Sequence, residues 1–437
     1  MVKRHETILI NKDGEKSPAD IYIEQRQGDT IIKTVFKRNR ITTRQKRYIL
    51  VKEDGTSEVV PLDESVANEI VDRICQTGSY SSSFIIKKIQ DNGNGNGHAE
   101  SVVLKHRLTE EEKNFTSTGD KFYRHLDRLQ QFQKTGRTNP VSCHISPEGK
   151  CNLKCAYCSV TNRNIIARID FPVIEKWLDV LTRRGLKAVI LTGGGEPTLY
   201  PEFNRLVRLI RSHDLEVALI TNGTNFHLID EALLGEFTWI RVSINIFPDW
   251  EKRIAIPKDL HEKTVLGFSY VYSTETDEET FRKISDFVDR HHGQYVRLLP
   301  NCLLNQEELI LQHQALAKIL EKINNPKFFH QLKLHEAPSR FFKRCPMGYF
   351  RPYLSEEINR HGYPGTVYSC DSVVLNNESM QFDPKYAICS AHEIEDYLDG
   401  KIEPQFVPHE DCKGCVFTRN LRVLENIAKP AMHENFI

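Results

Sequence analysis

Cys143-His-Ile-Ser-Pro-Glu-Gly-Lys-Cys151-Asn-Leu-Lys-Cys155-Ala-Tyr157-Cys158 is the stretch on which the rest of the chain depends. Its core is the C-x3-C-x2-C triplet Cys151, Cys155 and Cys158. A short loop brings three sulfurs together at little entropic cost. Three thiolates are one too few for an ordinary structural zinc site, which takes four ligands. They suit a 4Fe-4S cube with one iron left open to a ligand from solution. Cys143 lies eight positions before Cys151, on the strand leading into the loop, and reads as packing rather than as a ligand. Further on comes Gly193-Gly194-Gly195-Glu196-Pro197.

Working outward, residues 140–330 alternate strand and helix patterns. CHIS leads into the cysteine loop, and DFPVIEKWLDVLTRRG follows as a helix. Strands are then expected at KAVILTGG, LEVALITNG, WIRVSINI, VLGFSYVYS and QYVRLLPN. Between them lie helices at PEFNRLVRLIRSH, LIDEALLGE and DEETFRKISDFVDRHH, with QEELILQHQALAKILEKI after the last. Six strands with intervening helices predict an α/β fold with a parallel sheet covered by helices. A partial (β/α)6 barrel fits, with its chemistry at the C-terminal ends of the strands. Both CNLKCAYC and TGGGEP fall there.

The cysteine spacing followed by a GGE-type motif resembles the radical S-adenosylmethionine (radical SAM) enzymes, whose core fold is this partial barrel. The pair is far more specific than either motif alone, since a lone GGG is most often a strand-end turn. The resemblance implies that Cys151, Cys155 and Cys158 hold three irons while S-adenosylmethionine chelates the fourth. One electron, from a donor of flavodoxin or ferredoxin type, then yields a 5′-deoxyadenosyl radical that abstracts hydrogen from substrate. Tyr157 would contact adenine. Gly194, Gly195 and Glu196 would meet the amino group, since glycine permits close backbone approach and a carboxylate suits an ammonium. Ser243 and Asn245 fall where the family contacts the ribose, although an Asp is common at the second position. Thr221 and Asn222 end the third strand and would line the pocket. Arg297 would pair with the carboxylate of S-adenosylmethionine, or else form a surface salt bridge.

Residues 331–437 lose the strand–helix rhythm. Cys345, the G-x4-C element Gly365–Cys370, and Cys412-Lys-Gly-Cys415 resemble the twitch domain, a shortened SPASM domain that holds one auxiliary cluster. The resemblance implies a second 4Fe-4S cluster with four protein ligands, able to relay an electron but not to bind substrate. A structural zinc site is the lesser alternative, since four cysteines grouped this way can also bind that metal. Cys389 stands outside this set, as an unusual ligand, a catalytic thiol or a buried side chain.

Residues 1–90 read as a small α+β domain: strands in HETILIN, ADIYIEQ, DTIIKTVF and RYILVKE, then a helix over PLDESVANEIVDRICQTG. A basic run from Lys33 to Arg47 is either a solvated hairpin face or a docking strip for an acidic peptide or nucleic acid. Residues 91–139 contain a Gly/Asn repeat, expected as a flexible linker, and a bridging helix from about Asp120 to Lys134.

The chain has 437 residues, enough for two or three domains, and 59 basic residues balance 59 acidic ones. That neutrality argues against bulk nucleic-acid binding. No membrane-spanning run or signal peptide is legible, and the odd, clustered set of 11 cysteines favours metal or redox use over disulfides. A cytoplasmic protein is expected. Three substrate classes remain open. The first is a peptide to be oxidised, cross-linked or epimerised, because ILVKEDGTSEVVPLDESVANEIVDRICQTGS loosely resembles the peptide-recognition domain of such maturases. The second is a small metabolite such as an amino sugar, and the third is a nucleotide or tRNA. A zinc-stabilised binding protein with degenerate motifs is the non-enzymatic alternative.

Overall fold

The computed structural model describes the strands between Val2 and Lys105 by their backbone, together with residues 110–244 and 249–430. Two compact units divide the chain, Met1–Leu108 and Thr109–Ile437. In the first, β1 (Val2–Ile10), β2 (Lys16–Arg26) and β3 (Asp29–Phe36) form an antiparallel sheet in chain order. Two further antiparallel pairs follow: β4 (Tyr48–Val51) with β5 (Ser57–Val60), and β6 (Ser83–Lys87) with β7 (Ser101–Lys105). The β6–β7 pairing spans the Gly/Asn repeat and places both strands in this unit. The helix read from Pro61 to Gly78, and the basic run from Lys37 onward, lie outside the described residues.

The second unit opens with α1 (Glu110–Phe115) and α2 (Leu126–Thr135). The single bridging helix expected over 120–134 is instead a 3-10 segment, Gly119–Arg124, followed by α2. His125 breaks it at φ −129°, ψ 60°. Packing decides this. Gly119 lies so close to the C-terminal helix that a Cβ would stand 2.7 Å from Val423, and Phe122 meets Phe350 edge-on at 4.9 Å.

The six expected strands are β8 (Ser142–Ile145), β9 (Ala188–Leu191), β10 (Glu216–Thr221), β11 (Phe237–Ser243), β12 (Val265–Tyr272) and β13 (Tyr295–Pro300). With β14 (Phe328–His330) they run parallel, adjacent in chain order. Helices α3 (Phe171–Arg183), α4 (Phe203–Ser212), α5 (Glu278–Arg290) and α6 (Gln306–Ile323) form the crossovers and outer layer. In α4, Phe203, Leu206, Val207 and Ile210 are buried at helical spacing, so that face covers the sheet. This open parallel sheet with its helical coat is the partial barrel.

The C-terminal segment does not build a separate sheet. β15 (Tyr353–Ile358) pairs parallel to β8, and β16 (Pro364–Tyr368) and β17 (Ala387–Ser390) extend the same sheet antiparallel. Short connections between neighbouring strands replace helical crossovers, which removes the strand–helix rhythm from the sequence. The chain closes on α7 (Thr418–Ala428), packed against Phe122, Phe132 and Phe350.

Strand alternation sets the interior. On β8, Cys143 and Ile145 join the apolar core, whereas His144 and Ser146 take the other face. On β11, Ile240, Val242 and Ile244 are core and Arg241 and Ser243 lie opposite; on β13, Val296 and Leu298 are core and Arg297 lies opposite. Barrel interiors are ordinarily filled with branched apolar side chains. This one is polar and charged.

Candidate functional site

The cysteine loop follows β8 and is tied to the glycine motif by backbone bonds. Gly195 N–H donates to Glu148 O at 2.9 Å, and Glu196 N–H to Lys150 O at 2.9 Å. Gly194 N–H donates to Ser146 Oγ at 2.6 Å. The approach admits no side chain: a Cβ on Gly195 would lie 2.1 Å from Lys150 O, and one on Gly194 1.7 Å from Glu356 Oε1. Glu148, buried, accepts from Arg168 Nε at 2.7 Å and from Lys150 N–H at 3.0 Å, while Arg163 Nε donates to Gly149 O at 2.6 Å. The loop is thus held at both ends before any ligand arrives.

Glu196 is buried, and burial pushes its pKa up against the hydrogen bonds that lower it. Its Oε1 accepts from Thr198 N–H (3.2 Å), Thr198 Oγ1 (2.8 Å) and Thr221 Oγ1 (2.7 Å), and its Oε2 from Asn222 N–H (2.9 Å). The carboxylate therefore staples the end of β9 to that of β10. Thr221 is committed to the same staple. Asn222 reaches the cysteine loop: its Nδ2 donates to Asn152 Oδ1 at 2.9 Å and lies 4.0 Å from Cys151 Sγ.

Cys151, Cys155 and Cys158 are each partly exposed. Burial raises the Cys151 and Cys155 thiols, and the nearby sulfurs add to the effect. Tyr157, on the same loop, hydrogen-bonds Cys155; burial pushes its phenol up, with further contributions from Cys155, Cys158 and the neighbouring Tyr270. Ser243 Oγ and Ser269 Oγ stand 3.4 Å apart on adjacent strands, and Arg297 is in register with Ser269. Asn245 lies outside the described residues. Arg297 forms no surface salt bridge: protein surrounds it, and burial lowers its pKa to about 9, with Arg241 adding to the effect.

The remaining cysteines meet elsewhere. Cys345, Cys370, Cys412 and Cys415, from three separate segments, line one pocket. Met347, Val373, Leu375, Phe406, Phe417 and Leu421 form its apolar wall. Burial raises all four thiols, Cys412 and Cys415 to about 12, and the sulfurs raise one another. Such thiols ionise on meeting a metal, releasing protons. Cys389 is not among them. It sits on β17 opposite Val367, buried in the main core, and burial pushes its thiol well up.

Among the described residues, no three His, Cys, Asp or Glu side chains converge closely enough to hold a single metal ion. The first group brings three cysteines to one loop, and the second brings four to one pocket.

Ser146, Glu148, Asn152, Thr198 and Glu356 carry no signal in the sequence that marks them for this neighbourhood, and Cys302 reads there only as a small buried side chain. Cys302 is partly exposed and lies within the electrostatic reach of Cys158, Arg297 and Lys333. Glu356, on β15, is fully buried and burial raises its pKa to about 7.

A parallel partial barrel with a three-cysteine loop after its first strand, bonded to a glycine-rich second strand end, defines the radical SAM class of protein. Residues 145–282 match the Radical SAM superfamily model, so this stretch of the chain is a Radical SAM domain. Over 94 residues it is 37% identical to a "Probable GTP 3',8-cyclase" of Pyrococcus abyssi (strain GE5 / Orsay), covering 21% of this chain and 30% of that one. An "S-adenosylmethionine-dependent nucleotide dehydratase" of Thermoplasmatales archaeon (strain ISO4-H5) is 31% identical over 113 residues, 24% of this chain and 37% of that one. The chain thus spans about a third of the length of these curated relatives. Among solved structures, Streptococcus suis SuiB bound to precursor peptide SuiA aligns at 14% identity and TM-score 0.43, over 76% of this chain and 81% of that one. The anSMEcpe structure with bound AdoMet and Kp18Cys peptide aligns at 17% identity and TM-score 0.40, over 67% and 84%.

Proposed function

We propose that this chain is a radical SAM enzyme with two 4Fe-4S clusters that modifies a peptide by oxidation, cross-linking or epimerisation. The observation that carries the two-cluster reading is the convergence of Cys345, Cys370, Cys412 and Cys415 on one apolar-walled cavity. Cys151, Cys155 and Cys158 would hold the first cluster. When bound, it supplies reductive cleavage of S-adenosylmethionine to a hydrogen-abstracting radical. The second cluster, with a full set of protein ligands, would serve as an electron acceptor or relay.

The chain's own residues position and exclude. The Glu196 staple fixes the ends of β9 and β10, so the backbone of Gly194 and Gly195 presents carbonyls for an ammonium. Since three donors already occupy Oε1 and one occupies Oε2, Glu196 acts chiefly as a positioning residue. Tyr157 presents a ring beside the thiols for adenine, and Ser243 with Ser269 offers hydroxyls to a ribose. The second pocket surrounds the four thiols with mostly apolar side chains.

The peptide class rests on the segment from Ile49 to Ser79, with its resemblance to a peptide-recognition module; within it β4 and β5 pair antiparallel. The relatives named for nucleotide chemistry match over only 94 or 113 residues, and bring no substrate to this chain.

The test is anaerobic reconstitution followed by reduction. About eight irons per chain are expected, and about four in a Cys412→Ala/Cys415→Ala variant. Reduced protein should cleave S-adenosylmethionine to 5′-deoxyadenosine, and the product of the nearest small open reading frame should change mass. Four irons plus tightly held zinc would remove the second cluster, and absence of cleavage would remove the enzyme reading.

A further inference from the structure

The barrel interior carries more positive charge than its acids neutralise. Arg241 on β11 is only 8% exposed, and its Nε has no hydrogen-bond partner among the described residues. Arg297 on β13 is in the same state at Nε. Lys333 follows β14, and Arg351 precedes β15. Asp371 is the one acid among them. It lies 3.8 Å from Arg351 Nη2 and 3.8 Å from His144 Nδ1, so Arg351 is its nearest cation. Burial lowers His144 to about 3, so it adds no charge near neutrality. Arg241, Arg297 and Lys333 are left with no ion pair to any described residue. Arg241 sits 5.4 Å from the Trp239 ring and Lys333 5.5 Å from that of Phe417, while Asp371 acts on Arg297 and Lys333 only from beyond ion-pair distance.

These cations lie close enough to act on one another electrostatically, Arg241 on Arg297 and both on Lys333. Arg297 and Lys333 stay partly accessible to water although protein encloses them, and Asp371 keeps 41% of its side-chain surface accessible in the same enclosure. Below, Tyr295 closes the floor: its ring fills the place of a side chain at Gly267 and stacks on Phe115 at 4.3 Å. Above, Cys302 connects the cations electrostatically to Cys158, and Asp371 adjoins Cys370. The charges therefore lie between the two cysteine groups, where a substrate would react. Unpaired buried cations destabilise a fold, and their retention points to a ligand that neutralises them. Burial lowers Arg297 to about 9 and Lys333 to about 8, and the neighbouring cations add to the effect.

We infer that Arg241, Arg297 and Lys333 form a binding subsite for a multiply charged oxyanion of the substrate. The inference deepens the radical SAM reading and rests on it only for the word substrate. One carboxylate from S-adenosylmethionine would answer a single cation and leave two. A guanidinium fork binds carboxylate and phosphate oxygens alike, so the oxyanion comes from paired acidic side chains of a peptide or from phosphoryl groups.

The experiment uses reconstituted full-length protein under saturating S-adenosylmethionine, with calorimetric titration of inorganic triphosphate in one arm and of Glu-Glu-Glu-Glu peptide in the other. Saturable binding of at least one probe is expected, weakened at least about tenfold in Arg241→Met and within a few-fold of wild type in Arg241→Lys. Free Arg241→Met should also melt higher than wild type, since an unneutralised charge is gone; a structural role would lower its melting temperature. Binding of the peptide alone supports an acidic peptide substrate. Binding of triphosphate alone supports the subsite and overturns the peptide class. No saturable binding of either probe, or binding unchanged in Arg241→Met, overturns the subsite. Cleavage of S-adenosylmethionine, measured separately, tests the enzyme reading without touching this one.

Discussion

Gly195 and Glu356 show how tightly the cysteine loop is fitted. A Cβ at position 195 would meet two backbone carbonyls, Lys150 O at 2.1 Å and Glu148 O at 2.6 Å. Neither can swing aside as a side chain could. Gly195→Ala is therefore expected to cost about 1–3 kcal/mol and to displace the loop. A lowered melting temperature together with loss of the irons held by Cys151, Cys155 and Cys158 would show both effects. Glu356 bears on pH. Burial holds its folded pKa at about 7, above the ordinary 4.5. Between those values the folded state binds more protons than the unfolded one, so its contribution is full below pH 4.5 and lost as pH rises toward 7. Glu356→Gln should gain about 3 kcal/mol on wild type across that window and stay level above it. Denaturant melts of both proteins at several pH values measure the difference, which cancels the opposite slope from His144. A constant difference would show that Glu356 does not titrate there.

At the scale of elements, the helical layer rests on local chemistry. Asn305 caps α6, its Oδ1 accepting from Glu307 and Glu308 N–H at 3.0 Å each, and Asn324 ends the helix in the left-handed region at φ 45°. Asn305→Ala should cost about 1 kcal/mol, whereas Asn324→Gly should be neutral or slightly stabilising. Chemical denaturation of the two variants distinguishes the signs. The amphipathic runs of α3, α4 and α5 were legible as helices because an apolar face at period 3.6 is a local property. The segment 119–135 was misread as one helix for the opposite reason. Its course depends on the close approach of Gly119 to α7, some three hundred residues later in the chain.

For the whole second unit, the decisive fact is that β15, β16 and β17 continue the barrel sheet. The N–H groups of Val141, His144 and Ser146 donate to carbonyls of Phe350, Pro352 and Leu354 at 2.8–3.0 Å. Ending the chain after His330 would strip the β8 edge and expose the apolar faces that now meet Tyr349, Tyr353, Val367 and Tyr397. Such a truncated chain is expected to be insoluble or to lack cooperative unfolding, as near-ultraviolet circular dichroism during a melt would reveal. Cooperative unfolding at the full-length temperature would show that the barrel stands alone. Among the described residues, no helix is long and apolar enough to cross a membrane.

The sequence by itself determined the cysteine loop, the glycine-rich strand end and the six parallel strands. Each is encoded locally: ligand spacing within a loop, a tight turn that excludes side chains, and apolar runs bounded by turn residues. The four later cysteines could be grouped from sequence only through family resemblance, since Cys345, Cys370, Cys412 and Cys415 come from segments that chain order keeps apart. Tertiary structure decided the rest. It placed Cys389 in the core, turned Glu196 into a staple, and gathered Arg241, Arg297, Lys333 and Arg351 around one acid. Arg241, Lys333 and Arg351, taken alone, read as ordinary surface charges, and Arg297 as a partner for one carboxylate. Only closure of the sheet shows that three of them have no described acid within ion-pair distance, because the cost of an unpaired charge depends on what surrounds it in space and not on its neighbours in the chain.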